Sequence, residues 1–163
     1  MSRTLAVMLT CTTYGTWLRG DPRGYVEDGR VLPPNPNLQA ADTARLNHPP
    51  YTFPPDRLLD TAEAIGRSLI DRKAQTILAL TLQTWHVHVL LVATHTPIPE
   101  IVKCLKDAAR YHLRPGRPIW TTGYDKRFCF DQKTVRARIA YIERHNQQNG
   151  WPPRPFPFLT PPT

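Results

Sequence analysis

Two hydrophobic rhythms, one of period two and one of three to four residues, run through most of the chain. Over residues 5–13, Leu5, Val7 and Leu9 fall on one face before the segment turns to threonines, which predicts a strand. Residues 19–55 carry neither rhythm. They are rich in Pro, Gly, Asn and Asp, and the pairs Pro33-Pro34, Pro49-Pro50 and Pro54-Pro55 argue against helix or central strand, so a long loop or insertion is expected. Asp56 can cap a helix over residues 56–72, where Leu58, Leu59, Ala62, Ile65, Leu69 and Ile70 recur at helical spacing. Two apolar runs, residues 77–82 and 86–93, are separated by Gln83, Thr84 and Trp85 and predict a hairpin. A second helix is predicted over residues 99–113 from Ile101, Cys104, Leu105, Ala108 and His112. Residues 115–130 read as loop and a short strand, and Asp131 can cap a third helix over residues 132–147. The order strand, helix, strand, strand, helix, strand, helix predicts an α+β domain with helices packed on an antiparallel sheet. Residues 1–150 make up this single domain, with a Pro-rich insertion at about 30–55. The proline-dominated tail, residues 151–163, is left by its composition free to cross the site, wrap the domain or extend into solvent.

Composition narrows the class of partner. With 163 residues, 40% of them hydrophobic and 21% charged, the chain matches one ordinary globular domain. No apolar run reaches the roughly 18–20 residues of a spanning helix, and Met1-Ser2-Arg3 does not begin a signal peptide, so a cytoplasmic protein with no membrane partner is expected. Cys11, Cys104 and Cys129 lie far apart and read as small buried hydrophobes, not as a zinc knuckle or disulfide framework. A net charge of +8 points to an anionic partner, and its distribution is uneven: residues 96–163 hold 12 Lys and Arg against 5 acidic residues, the first 95 residues 9 against 8.

The chemistry-bearing residues are few. In Trp85-His86-Val87-His88-Val89-Leu90-Leu91-Val92 two histidines sit two apart inside an apolar strand, so both imidazoles share one face. That spacing suits capture of a divalent cation, which then needs a third ligand. Residues 141–145 supply a candidate, because Tyr141 and His145 are four apart and neighbours on a helix, about a quarter-turn from the apolar stripe of Val135, Ile139 and Ile142. A tyrosine hydroxyl, weak as a nucleophile at its free pKa of about 10, becomes competent beside a cation and a polarised phosphate. The bland alternative makes Tyr141 a ring anchored on the sheet, and Tyr111, beside Arg110 and His112, is the rival nucleophile.

Taken together, the His-hydrophobic-His strand and a tyrosine 55 positions after His86 on a basic helix resemble the single-tyrosine HUH transposases, and among them the REP-associated tyrosine transposases. Residues 14–21 (Tyr-Gly-Thr-Trp-Leu-Arg-Gly-Asp), Ile119-Trp120 and Gly150-Trp151 carry the same resemblance, which covers most of the chain and is weakest over residues 30–55. The resemblance implies a ferredoxin-like α+β fold of the HUH endonuclease kind, with His86 and His88 as metal ligands and Tyr141 as the nucleophile that forms a 5′-phosphotyrosine link. His145 occupies the family's third-ligand region, with Asn146 and Gln147 as competitors. It further implies Mg2+ or Mn2+, a single-stranded DNA partner next to a hairpin, and either a monomer or a homodimer.

Lys103, Lys106, Arg110 and Arg114 follow helical spacing and, with Lys126, Arg127 and Arg138, form a candidate phosphate track; a solvated helix face is the plainer alternative. Trp17, Trp85 and Trp120 are suited to base stacking or to the core. A histidine-triad hydrolase would need a third alternating histidine where Leu90 stands. A replication-initiator nuclease would normally bring further domains. The rival of another class is a catalytically silent DNA-hairpin-binding protein of the same fold.

Overall fold

The computed structural model describes residues 3–27 and 30–161. In chain order the elements are β1 (Ala6–Thr12), β2 (Tyr25–Glu27), β3 (Arg30–Leu32), α1 (Pro36–Arg45), α2 (Leu58–Lys73), β4 (Ile77–Gln83), β5 (His86–Val92), α3 (Ile98–Leu113), β6 (Asp125–Cys129) and α4 (Gln132–Gln148). Four strands pair antiparallel in the order β4-β5-β1-β6, while β2 and β3 form a separate ribbon. The sheet order and the helices between its strands give the predicted ferredoxin-like α+β architecture, with α4 added on the face opposite α2 and α3.

Strand alternation decides which layer each residue joins. Val7, Leu9 and Cys11 of β1 and Val87, Val89 and Leu91 of β5 are buried under Ala62, Ile65 and Leu69 of α2 and Ile101, Leu105 and Ala109 of α3. Their neighbours Ala6, Met8 and Leu90 face the other way, onto Val135, Ile139 and Ile142 of α4. Truncating a fully buried leucine such as Leu80, Leu90 or Leu105 to alanine should cost about 2–5 kcal/mol.

Two expectations are corrected. The segment read as free of helix contains α1, which fits between Pro33-Pro34 and Pro49-Pro50; Pro36 lies in its first turn, where a missing N–H costs no bond, and the Asn35 side chain accepts from the backbone N–H of Asn37 and Leu38 at 3.1 Å each. Asp42 of α1 holds Arg19 through its backbone N–H at 3.0 Å and its Nη2 at 2.6 Å, tying the insertion to the loop after β1. Asp56 does not cap α2: it lies in a 3₁₀ turn, Pro55–Arg57, that leads into the helix, and no side chain caps that end. Asp131 does cap α4, accepting from Thr134 N–H at 2.7 Å.

The tail wraps the domain. Phe156 is 4% exposed within the α2/α3-side core, Thr160 donates its N–H to Ile77 O at 2.8 Å, and Arg154 pairs with Glu143 of α4 at 3.2 Å. The Asn146 and Asn149 side chains donate to Leu80 O and Leu82 O, so the outer edge of β4 is covered, which protects it from pairing with another chain. No helix of the described residues is long and apolar enough to cross a membrane.

Candidate metal and nucleophile site

Strand register builds the first half of the site. His88 lies opposite Thr10 of β1 and Thr81 of β4, and His86 opposite Thr12 and Gln83, so both imidazoles project from the α4 face, flanked by uncharged polar side chains beyond the apolar row of Ala6, Met8 and Leu90. Helix α4 supplies the second half. Its stripe of Val135, Ile139 and Ile142 seats it on the sheet, and on the adjacent face Tyr141 and His145, one turn apart, reach the histidines.

Ring centroids are 4.5 Å apart for His86 and His88, 5.1 Å for His88 and His145, and 5.6 Å for His86 and His145. One ligand nitrogen from each of the three lies within 4.8 Å of the others, the three-residue metal-competent cluster among the described residues. The Tyr141 ring is 5.4 Å from that of His88 and 4.5 Å from that of His145. No hydrogen bond to the Tyr141 hydroxyl occurs among the described residues, which leaves that oxygen uncommitted.

Hydrogen bonds orient the rings. His88 Nδ1 lies 2.7 Å from Thr10 Oγ1, and His145 Nδ1 lies 2.9 Å from Tyr141 O; in both rings this leaves Nε2 for a ligand role. A carbonyl only accepts, so His145 Nδ1 carries the proton. His86 Nδ1 is buried with no hydrogen-bond partner among the described residues, a costly state for an imidazole that no ion approaches. Burial pushes His86 down to about 2 and His88 down to about 3, reinforced at His86 by the repulsion that a second proton on His88 or His145 would add and by Arg23, and at His88 by His145, Arg127 and Arg138. Both therefore stay neutral, the form in which imidazole binds a metal. An orphaned nitrogen, neutral rings and three convergent imidazoles fit a divalent cation.

Asn146 and Gln147, the alternative third ligands, differ in placement, and Asn146 Oδ1 is buried with no hydrogen-bond partner among the described residues. Asn146 is buried and its amide donates to Leu80 O at 3.0 Å and Pro153 O at 2.9 Å, while Gln147 is exposed. Tyr111 is exposed on α3, in the layer across the sheet from the histidines.

The seven candidate DNA-binding cations do not form one track. Lys103, Lys106, Arg110 and Arg114 belong to α3 and its end, across the sheet from His86 and His88. Lys103 and Arg110 share Asp107 at 2.7 and 3.1 Å, Lys106 Nζ donates to the carbonyls of Thr121 and Gly123, and Arg114 donates to Tyr111 O. On β6, Lys126 pairs with Leu9 and so points to the α3 side, whereas Arg127 pairs with Met8 and points to the α4 side, beside Asp125 at 3.1 Å. Arg127 on the α4 face of β6 and Arg138 on α4, one turn before Tyr141, lie on the histidine side of the sheet.

The sequence leaves Thr10 and Arg23 without a site role and Trp17 open between base stacking and the core. Thr10 was read only as part of the threonine run of β1. Trp17 was not separable from a core tryptophan, yet it packs on Trp85 at 5.5 Å, whereas Trp120 packs on buried Phe53 and donates to Lys106 O. Arg23, in a segment without periodicity, carried no signal at all.

The sheet order and the layers define a ferredoxin-like α+β domain that carries a three-histidine cluster on its α4 face. Over 97% of its length the chain is similar to a REP-associated tyrosine transposase solved bound to a REP hairpin, with 14% identity, 78% of that chain covered and a TM-score of 0.52. It is also similar to a crystal structure from Deinococcus radiodurans described as that of a putative transposase, with 18% identity, 89% of this chain and 93% of that chain covered, and a TM-score of 0.45. No protein-family model and no curated protein matches the chain.

Proposed function

We propose that this protein is a single-tyrosine HUH transposase that cleaves and rejoins single-stranded DNA. The observation that carries the proposal is the placement of Tyr141 against His88 and His145 at the three-imidazole cluster. In the proposed reaction Tyr141 Oη attacks the scissile phosphorus, the new O–P bond replaces the P–O3′ bond, the phenol proton is lost to solvent, and the departing 3′ oxygen takes up a proton. The products are a 5′-phosphotyrosine and a free 3′ hydroxyl. Because the phosphotyrosine conserves the energy of the broken diester, a 3′ hydroxyl can reverse the step onto another end without ATP.

His86, His88 and His145 are the proposed ligands, and a divalent ion held there supplies Lewis-acid polarisation of the phosphate and charge neutralisation. Of Mg2+ and Mn2+, the all-nitrogen donor set favours Mn2+. Thr10 holds the His88 ring, and the Tyr141 carbonyl holds that of His145. Arg127 and Arg138 are proposed to contact the strand beside the site; Lys126 and the α3 cations Lys103, Lys106, Arg110 and Arg114 are left to meet flanking parts of a bound DNA. Closeness of Tyr141 to the histidines of its own chain supports cleavage in cis, with no homodimer needed. The structural relative bound to a REP hairpin supports a substrate in which the cleaved strand adjoins a hairpin.

The test is to incubate the protein with Mn2+ and labelled single strands carrying hairpins from the inverted repeats nearest its gene, beside Tyr141→Phe, on a denaturing gel. A covalent adduct made by the wild type and not by the variant supports the proposal. Salt-sensitive binding with no adduct on any such strand supports the catalytically silent hairpin-binding reading instead.

A further inference from the structure

Arg23 stands in the loop after β1, beside the histidines. Its guanidinium carbon lies 4.0 Å from the Trp17 ring centroid and 3.9 Å from that of Trp85, the two rings meeting at 67°. Trp85 in turn rests on His86, 3.8 Å between centroids. The loop is locked from behind by Trp17 Nε1, which donates to Gly24 O at 2.7 Å, and Gly24 needs its φ of +82° there.

The use of the guanidinium's edges is informative. Asp21 takes Nε at 2.6 Å and Nη2 at 2.5 Å, which occupies the side edge of the fork. The end edge, Nη1 with the second proton of Nη2, has no partner among the described residues, and the side chain is 39% exposed. The two rings and the carboxylate hold this open edge in one orientation. Such an edge matches the paired non-bridging oxygens of a phosphate, and the rigidity lowers the rotamer entropy lost on binding.

Resting on the proposed reading of the site, we infer that Arg23 binds a backbone phosphate of the single strand next to the phosphodiester that Tyr141 attacks, with Trp17, Trp85 and Asp21 holding its guanidinium in place.

The test measures equilibrium binding of a mixed-sequence single-stranded oligonucleotide by fluorescence anisotropy across a salt series. Tyr141→Phe serves as the parent, so that covalent capture does not distort binding. Each phosphate contact on a single strand contributes a slope of about −0.7 to log K against log salt. Arg23→Gln should flatten the slope by about 0.7, so its affinity deficit shrinks about 2.6-fold between 50 and 200 mM salt. Arg23→Lys, which keeps the charge and loses the fork, should keep the parent's slope with weaker binding. An unchanged slope in Arg23→Gln, whether binding is weakened or not, overturns the inference and leaves the proposed function standing. A Tyr141→Phe parent that binds no single-stranded DNA overturns both.

Discussion

Two neutral imidazoles buried side by side should make the metal-free protein acid-sensitive well above the range in which its carboxylates titrate. His86 and His88 are 2% and 7% exposed and are held down to about 2 and about 3. In the unfolded chain each has a pKa near 6.5, so below that pH the unfolded state binds protons that the folded state refuses. The stabilisation is therefore complete above about pH 6.5 and is lost as pH falls toward the folded values. Between pH 7 and 5.5 the two sites together should remove about 2.5 kcal/mol. In a chain of this size that corresponds to a fall in Tm of about 5–10 °C. The assay is thermal unfolding by circular dichroism in EDTA at the two pH values and constant ionic strength, with the double variant His86→Leu/His88→Leu as reference. The wild type should lose about 5–10 °C more than the variant. Equal losses in both would refute the claim that these rings are folded in their neutral form.

Other consequences are checked more simply. Mn2+ at about a hundred times its Kd should stabilise the wild type by about 2.7 kcal/mol in a thermal shift assay and leave His86→Leu/His88→Leu unmoved; equal shifts would place the ion elsewhere. Thr10→Val removes the oxygen 2.7 Å from His88 Nδ1 and should weaken metal binding about 10–100-fold by titration calorimetry, and an unchanged affinity would make that bond irrelevant to the ligand. Because the Tyr141 hydroxyl makes no hydrogen bond among the described residues, Tyr141→Phe should abolish the covalent adduct while shifting stability by less than about 0.5 kcal/mol, as read by urea unfolding. Phe156→Ala should cost about 3–5 kcal/mol in the same assay, since the ring is 4% exposed in the core; a cost near zero would mean that the tail does not stay docked.

Period-two and period-3.6 patterns were enough to read β1, the β4–β5 hairpin, α2, α3 and α4 from the chain, because such patterns express backbone geometry that neighbours in sequence share. The same local geometry determined that His86 and His88 share a face and that Tyr141 and His145 lie one helical turn apart. Helix α1 escaped because proline composition masks a helix that begins on proline, whose stabilising contact, Asp42 to Arg19, spans 23 residues.

What tertiary structure alone decided is which of these faces meet. Seating α4 on the sheet turned His145 toward the imidazoles and aimed the Asn146 amide nitrogen at the carbonyls of Leu80 and Pro153, placements that one helical turn of sequence leaves open. Placing α3 in the opposite layer removed its cations from the site, although the chain presents them as continuous with Arg127 and Arg138. Arg23 gained its position only when the loop after β1 folded onto the β4–β5 turn and brought Trp17 to Trp85, 68 residues away in sequence. Periodicity is written residue by residue, whereas juxtaposition depends on strand order and on which face of the sheet each helix covers, and neither leaves a local trace.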